Sequence, residues 1–401
     1  MASHVTAVML CAAALLAPTS AQDVQLSQAI DAFGVALFKE LTSAAADRNV
    51  FFSPASISIA LGMLYAGAGG KTLEELSSVL GLSEAGLVDR DAVLSAYKSL
   101  VETKSANATL DIANTVLIQK DFQILDQYRN DVVEYFQAEV RSVDFVRDAR
   151  RVTAEINDWV NKKTRGKIPK LLDDAPPMNT VAFLINAIYF KGTWVTKFQA
   201  RNTKPLPFYN HGRDEVRVST MSVRRHFGYA VVDELEAKAL EVPYAGDRFS
   251  MVIVLPNSRT GLSTVETRLT ADLVDEIADR LAPRDVQLWL PKFKLHTDYD
   301  LVAPLRRLGL ESAFGKDADL SGISARNNLE VSDVKHKAMV EVSEEGTVAA
   351  AVTAVRVSLK SARGGAVFPP TPFRVEHPFA FFIWDKVGKQ AFFMGAIRSL
   401  S

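Results

Sequence analysis

Glu341–Val367 reads EVSEEGTVAAAVTAVRVSLKSARGGAV. From Gly346 to Val355 the segment GTVAAAVTAV carries no charge and no proline, only small or β-branched residues. Such a run favours strand pairing and, left exposed, invites aggregation. It is followed by Arg356, Ser358, Lys360, Ser361, Arg363, Gly364 and Gly365, which read as a solvated loop. A pairing-competent strand joined to a loop that offers Lys and Arg to solvent needs a sheet to belong to and a reason for being kept out of it.

The chain around this segment has 401 residues, 48% hydrophobic, with a formal net charge of -1. That is ample for a well-buried core, either as two lobes or as one large composite unit. Near-neutral charge argues against a general nucleic-acid or anionic-membrane binder. At the N-terminus, Val8–Leu16 is a short apolar run, and Pro18-Thr19-Ser20-Ala21 supplies small residues at a cleavage site. The pattern predicts a secretory signal over 1–21, cut after Ala21, although no Lys or Arg precedes the run. The run is too short to span a bilayer. Its Cys11 is the single cysteine, so a mature chain over 22–401 is expected outside the cell, without thiol or disulfide. Asn107-Ala108-Thr109 is the one Asn-x-Ser/Thr sequon, either glycosylated at Asn107 or a chance triplet.

Ile30, Phe33, Leu37 and Leu41 fall at helical spacing, which predicts a helix over 27–45. Ser53-Pro54 opens a second helix, with serine as cap and proline in the first turn. Further helices are predicted over 72–80, 91–104, around Val152–Val160 and over 299–309. Gly70-Lys71-Thr72 resembles the end of a phosphate-binding loop, but the required earlier glycine is Tyr65, which excludes that reading. The basic cluster from Lys162 to Lys170 reads as a solvated helix end; the alternative is a site for a sulfated glycosaminoglycan. Val181–Phe190, VAFLINAIYF, is apolar on both parities and predicts a central strand buried on both faces, with Asn186 needing partners in its middle. Strands are also predicted over 109–118, Phe249–Leu255 and Val286–Leu295, the last interrupted by Pro291, with a C-terminal hairpin around Asp385–Gly388. Helices come mostly first and strands mostly later, without βαβ alternation, so the class is α+β in one folding unit.

The chemistry of common enzymes is missing from this pattern. The six histidines form neither His-Glu-x-x-His nor a zinc-ligand cluster, and no Gly-x-Ser-x-Gly or mature cysteine nucleophile is present. Neither a catalytic set nor a metal or other cofactor is expected; the rival reading is an unrelated secreted hydrolase whose triad assembles in space from the plentiful acids and serines.

Four motifs in order give the chain a family. NVFFSPASISIALGMLYAGAGGKTLEEL, FLINAIYFKGTW, KHKAMVEVSEEGTVAAA and PFRVEHPFAFFI resemble the second-helix, central-strand, hinge and C-terminal signatures of the serpins. Glu376, Ala380 and Val348 depart from the usual residues without touching the fold assignment. The overall look and loop length are similar to secreted arthropod serpins. The resemblance implies three β-sheets with a large central one, about nine helices, and an exposed reactive-centre loop over 344–372. It implies a monomeric suicide inhibitor of serine proteases. A target protease attacks the loop, forms an acyl-enzyme, and is carried away as the freed hinge enters the central sheet as an extra strand.

That movement makes demands the residues can be checked against. From Thr347 one parity of the strand gives Thr347, Ala349, Ala351, Thr353 and Val355; the other gives Val348, Ala350, Val352, Ala354 and Arg356. The first set is small or β-branched and uncharged, so it can enter a packed interior, and in serpins it is the set that faces inward. Proline or charge at Thr347, Ala349 or Ala351 would block entry. Glu344, Glu345, Gly346 and Thr347 match the inhibitory hinge, which extends through Val348, Ala349, Ala350 and Ala351. The competing readings are an ordinary flexible Ala/Val loop and a non-inhibitory serpin serving as carrier or storage protein. Family loop length puts the scissile bond at Lys360-Ser361, with Arg363-Gly364 as the alternative. Lysine there suits trypsin-like proteases with an acidic specificity pocket. By the same resemblance Ser53, Ser56, Asn186 and His336 form a polar cluster where the central strands part, and Trp194, Lys292 and Glu344 sit where the hinge enters.

Incubation with trypsin is expected to yield an SDS-stable complex and a C-terminal fragment whose first residue is Ser361. N-terminal sequencing of that fragment checks the assignment, and a start at Gly364 overturns it.

Overall fold

A computed structural model of the chain describes residues 20–102, 108–326, 329–347 and 369–401. Among these it has nine α-helices: α1 Ala21–Ala44, α2 Pro54–Tyr65, α3 Gly70–Val79, α4 Arg90–Glu102, α5 Asp126–Phe136, α6 Phe145–Lys163, α7 Leu262–Arg268, α8 Ala271–Arg280 and α9 Val302–Arg307. The strands are β1 Val50–Phe52, β2 Ala108–Gln119, β3 Glu139–Val143, β4 Ala182–Thr193, β5 Lys204–Asn210, β6 Asp214–Val232, β7 Ala237–Pro243 and β8 Phe249–Pro256. They continue as β9 Ala282–Pro291, β10 Phe293–Asp300, β11 Val331–Ser343, β12 Gly346–Thr347, β13 Thr371–Arg374, β14 Phe379–Asp385 and β15 Gln390–Ile397.

Local signals explain where these elements begin. α1 starts six residues before the predicted boundary because Ser20 and Asp23 cap it reciprocally: Asp23 N–H donates to Ser20 Oγ at 3.1 Å and Ser20 N–H to Asp23 Oδ2 at 3.0 Å. The helix therefore lies across the expected cleavage position. α2 follows the predicted Ser53-Pro54 start and is buried all round. Pro291 does more than interrupt a strand. It ends β9, whose partners are β6 and β13, and β10 then joins a different sheet beside β11. The segment predicted as helix from 299 instead keeps Tyr299 and Asp300 in β10, paired with His336 and Lys335. The Asp300 carboxylate then accepts the Val302 N–H at 3.1 Å, and the helix is confined to Val302–Arg307.

The strands make two hydrogen-bonded sheets. The six-stranded sheet runs β10-β11-β12-β4-β2-β3. The nine-stranded sheet runs β1-β15-β14-β8-β7-β6-β9-β13, with β5 on β6. The 19-residue β6 pairs with β5 and β9 along most of its length and with β7 at its end. Through it, two of the three expected sheets are continuous.

The core lies between the sheets. Phe190 of β4 packs edge-on against Tyr244, Phe249 and Phe393 at centroid distances of 5.1, 5.5 and 5.8 Å. Phe51 stacks between Phe393 and Phe381, at 5.2 and 5.8 Å. Each ring is fully buried, and truncating one to alanine would cost about 3–5 kcal/mol. The hairpin β14–β15 is tied to β8 by a buried ion pair. Asp385, with no side-chain exposure, accepts from Arg248 Nε at 3.0 Å and Nη2 at 2.7 Å.

Replacing Asp385 with alanine removes this carboxylate from the partly buried Arg248, and is expected to lower stability by about 3 kcal/mol. Urea unfolding of D385A beside wild type checks this, and an unchanged midpoint would contradict it.

Candidate functional site

The site is a seam in the six-stranded sheet. β11 and β4 run parallel and pair from Val331↔Ala182 to Met339↔Tyr189. Beyond that point they part. Gly346 and Thr347 occupy the opening, bonded to Ser343 and Val342 on one side and to Thr193 and Gly192 on the other. Two residues of the small-residue segment are thus already seated as a strand.

Their placement follows from side-chain size and backbone freedom. Gly346 has φ +137°, and a Cβ there would lie 2.1 Å from the Gly192 carbonyl oxygen, so no other residue fits. Thr347 points inward, fully buried, and its Oγ1 lies 2.9 Å from the Tyr244 hydroxyl. The next residues of the hinge, Val348, Ala349, Ala350 and Ala351, lie outside the described residues. So do the Lys360-Ser361 bond, the alternative Arg363-Gly364, and Asn107.

The turn before Gly346 is clamped from the β4 side. Trp194 donates its indole N–H to the Ser343 carbonyl at 2.9 Å and its backbone N–H to the Glu345 carbonyl at 3.0 Å. Phe198 N–H donates to the Glu344 carbonyl at 2.9 Å. The Trp194 ring stacks on Tyr244 at 4.4 Å, so the indole is held against the ring that meets Thr347. Glu344 accepts from Lys292 at 2.9 Å and from Thr203 at 2.8 Å. Burial pushes its carboxyl up, but those bonds outweigh it and hold the pKa below the usual range. Lys197 pairs with Glu345 beside it. The sequence named Trp194, Lys292 and Glu344 for this corner; Tyr244, Thr203 and Lys197 carried no signal that singled them out.

Where β11 and β4 are still paired, a polar row crosses the sheet. His336, Asn186 and Asn114 stand opposite one another on β11, β4 and β2. His336 Nε2 accepts the Ser53 N–H at 3.3 Å. That leaves the proton on Nδ1, which donates to Asn186 Oδ1. The Asn186 amide then donates to the Ser56 carbonyl at 2.9 Å, to Ser56 Oγ, and to Asn114 Oδ1 at 2.5 Å. Ser53 Oγ donates to the Phe392 carbonyl at 2.7 Å and accepts from Ser56 N–H at 3.2 Å. The four residues named from the sequence are therefore brought together, with every polar atom of the histidine and amide engaged. Asn114 was missed, although an amide inside a predicted strand was a signal for it.

No groups of acidic, histidine or cysteine side chains suited to a metal ion occur among the described residues. No helix there is long and apolar enough to cross a membrane. In the basic cluster, Lys162 pairs with Asp158 at 2.5 Å, Arg165 with Asp111 at 3.0 Å and Lys170 with Asp173 at 3.0 Å.

Burial drives the His336 pKa down to about 3, so the folded protein holds the ring neutral. An unfolded histidine takes up a proton near pH 6.5. Between those values the unfolded state binds the extra proton, so stability falls as pH drops, by about 1.4 kcal/mol per unit. The urea midpoint of wild type is expected to decline between pH 7 and pH 4 more steeply than that of His336→Gln, which has no group to protonate. Parallel declines would remove His336 from the acid response.

The serpin (serine protease inhibitor) family model matches residues 28–400. Iripin-3 of Ixodes ricinus is 41% identical over 381 residues, covering 94% of this chain and 95% of that protein. Human thyroxine-binding globulin complexed with thyroxine superposes with a TM-score of 0.86 at 28% identity, over 94% of this chain and 99% of the other. The mouse protein-Z dependent protease inhibitor superposes with a TM-score of 0.84 at 29% identity, over 95% and 98%. The chain accordingly belongs to the serpin family, and it is a protease inhibitor rather than an enzyme.

Proposed function

We propose that this serpin is secreted and inhibits trypsin-like serine proteases as a suicide substrate. The observation that carries the reading is the seating of Gly346 and Thr347 between β11 and β4, with Thr347 turned into the interior. A strand begun at this point continues with Ala349 and Ala351 on the same inward parity, and methyl side chains enter a packed layer without overpacking it. The protease serine attacks the Lys360 carbonyl carbon. The Lys360-Ser361 amide breaks, Ser361 leaves as the protonated new N-terminus, and the ester holds Lys360 to the enzyme. The cut end is then free to follow Thr347 into the sheet, and the protease is drawn with it.

In this scheme Ser53, Ser56, Asn186 and His336 act as a gate, because lengthening the inserted strand separates His336 from Asn186. Lys292, Trp194 and Glu344 hold the entry turn in register. The signal over 1–21 supports export of a monomer, glycosylated at Asn107. Cleavage after Ala21 would take the Ser20 cap from α1, so the mature helix would begin further along the chain. Local ion pairs in the Lys162–Lys170 cluster favour a solvated helix end over a glycosaminoglycan site. The likeness to thyroxine-binding globulin is what favours the rival reading, a non-inhibitory carrier.

Cleavage of the loop by a non-target protease is expected to raise the melting temperature sharply, and mixing with trypsin to give a covalent complex of the summed masses by mass spectrometry. A nicked protein that melts with the intact one and forms no complex would place the chain with the carriers.

A further inference from the structure

A second concave site lies away from the seam, where the C-terminal end of α1, the β5–β6 turn, the start of α7 and the end of the chain meet. The cavity holds about 340 Å³. Three arginines line it, Arg213, Arg259 and Arg398, against one carboxylate, Glu266. That carboxylate is engaged: Glu266 Oε1 lies 2.7 Å from Arg398 Nη2, and both side chains are largely buried. Arg398 also donates to the Arg48 and Thr42 carbonyls at 3.3 and 3.4 Å, so it serves as the wall. Arg213 and Arg259 are the cations that face an incoming group. Arg259 touches Glu376 only loosely, at 3.7 Å, and Arg213 has no ion-pair partner among the described residues.

The Arg259 guanidinium and the backbone that carries Arg213 are both held in place. Arg259 lies flat over the Tyr209 ring, 3.5 Å from its centroid, which fixes the plane of its donors. The β5–β6 turn that carries Arg213 is locked to its surroundings. His211 N–H donates to the Arg398 carbonyl at 2.8 Å. At Gly212 a Cβ would come within 2.5 Å of the Arg259 carbonyl oxygen, so the turn and the Arg259 backbone touch directly. Ser43 and Ser263 add hydroxyl donors to the lining, and Leu262 and Pro378 add apolar surface.

We propose that this cavity binds a monoester of phosphate or sulfate. A tetrahedral oxyanion offers several acceptor oxygens, which the Arg259 guanidinium, held on Tyr209, and the exposed Arg213 guanidinium beside it can meet with paired donors. The volume exceeds what an inorganic ion needs and reaches the size range of small-molecule sites, so a ring or short chain on the ester oxygen would lie against Leu262 and Pro378. Neither Arg213 nor Arg259 belongs to the seam, so binding here is independent of the inhibitory reading.

The test is isothermal titration of the full chain with phenyl phosphate, phenyl sulfate and phenol at matched ionic strength. Saturable binding of at least one ester with Kd below about 1 mM is expected, with none for phenol. In Arg213→Ser the affinity should fall about tenfold, while circular dichroism shows the same folded protein. A response to phosphate alone points to a phosphorylated metabolite, and a response to sulfate alone to a sulfated one. Binding that neither saturates nor changes in Arg213→Ser, or an effect reproduced by sodium chloride, overturns the proposal.

Discussion

Two parallel strands that stop pairing before they end set the terms for the rest of this protein. β11 and β4 bond to each other only as far as Met339 and Tyr189, and their last residues would present unpaired main-chain groups in a buried place. Gly346 and Thr347 pair with the last two residues of each, Val342 and Ser343 on β11 and Gly192 and Thr193 on β4. Buried amides and carbonyls must find partners, and here the hinge residues supply them to the ends of both strands. Trp194 and Tyr244 sit beside this point, with their rings stacked and their polar atoms bonded to the turn and to Thr347.

Further along the seam the interaction changes character. Between β11 and β4 the contact is not only apolar packing but a chain of directed hydrogen bonds from Ser53 through His336 to Asn186 and on to Asn114. Such a chain is strong when complete and costly when broken. Under the proposed mechanism it would favour two well-defined conditions of the sheet, closed or opened by a strand, over a continuous range. The aromatic cluster of Phe51, Phe190, Phe249, Phe381 and Phe393 lies behind it and supplies a stiff, close-packed floor.

Much of this was legible in the residues because it depends on periodicity and on side-chain size. The double-sided apolar run of β4, the Ser-Pro start of α2 and the uncharged hinge are one-dimensional patterns. Asn186 announced itself as an amide in an apolar strand. Other features resisted reading for physical reasons. Pro291 marks a break in any strand, but the change of sheet across it depends on which edges are free. β5 through β7 have no strong alternation, since β6 changes partners along its length and its exposed face shifts with them. α1 began early because a two-residue capping box outweighed the apolar stripe as a boundary signal.

With the resemblance to serpins supplying the inward face at Thr347 and the residues that meet around it, the sequence by itself determined the α+β class, the serpin motifs and the alternation of side chains along the hinge. Those are properties of neighbours along the chain, where spacing alone decides which face a side chain takes. Tertiary structure alone decided that the hinge is seated by two residues, that Tyr244 and Asn114 complete the seam, and that Arg213, Arg259 and Arg398 share one cavity. These groups lie far apart in sequence, and only the packing of the folded chain brings them together.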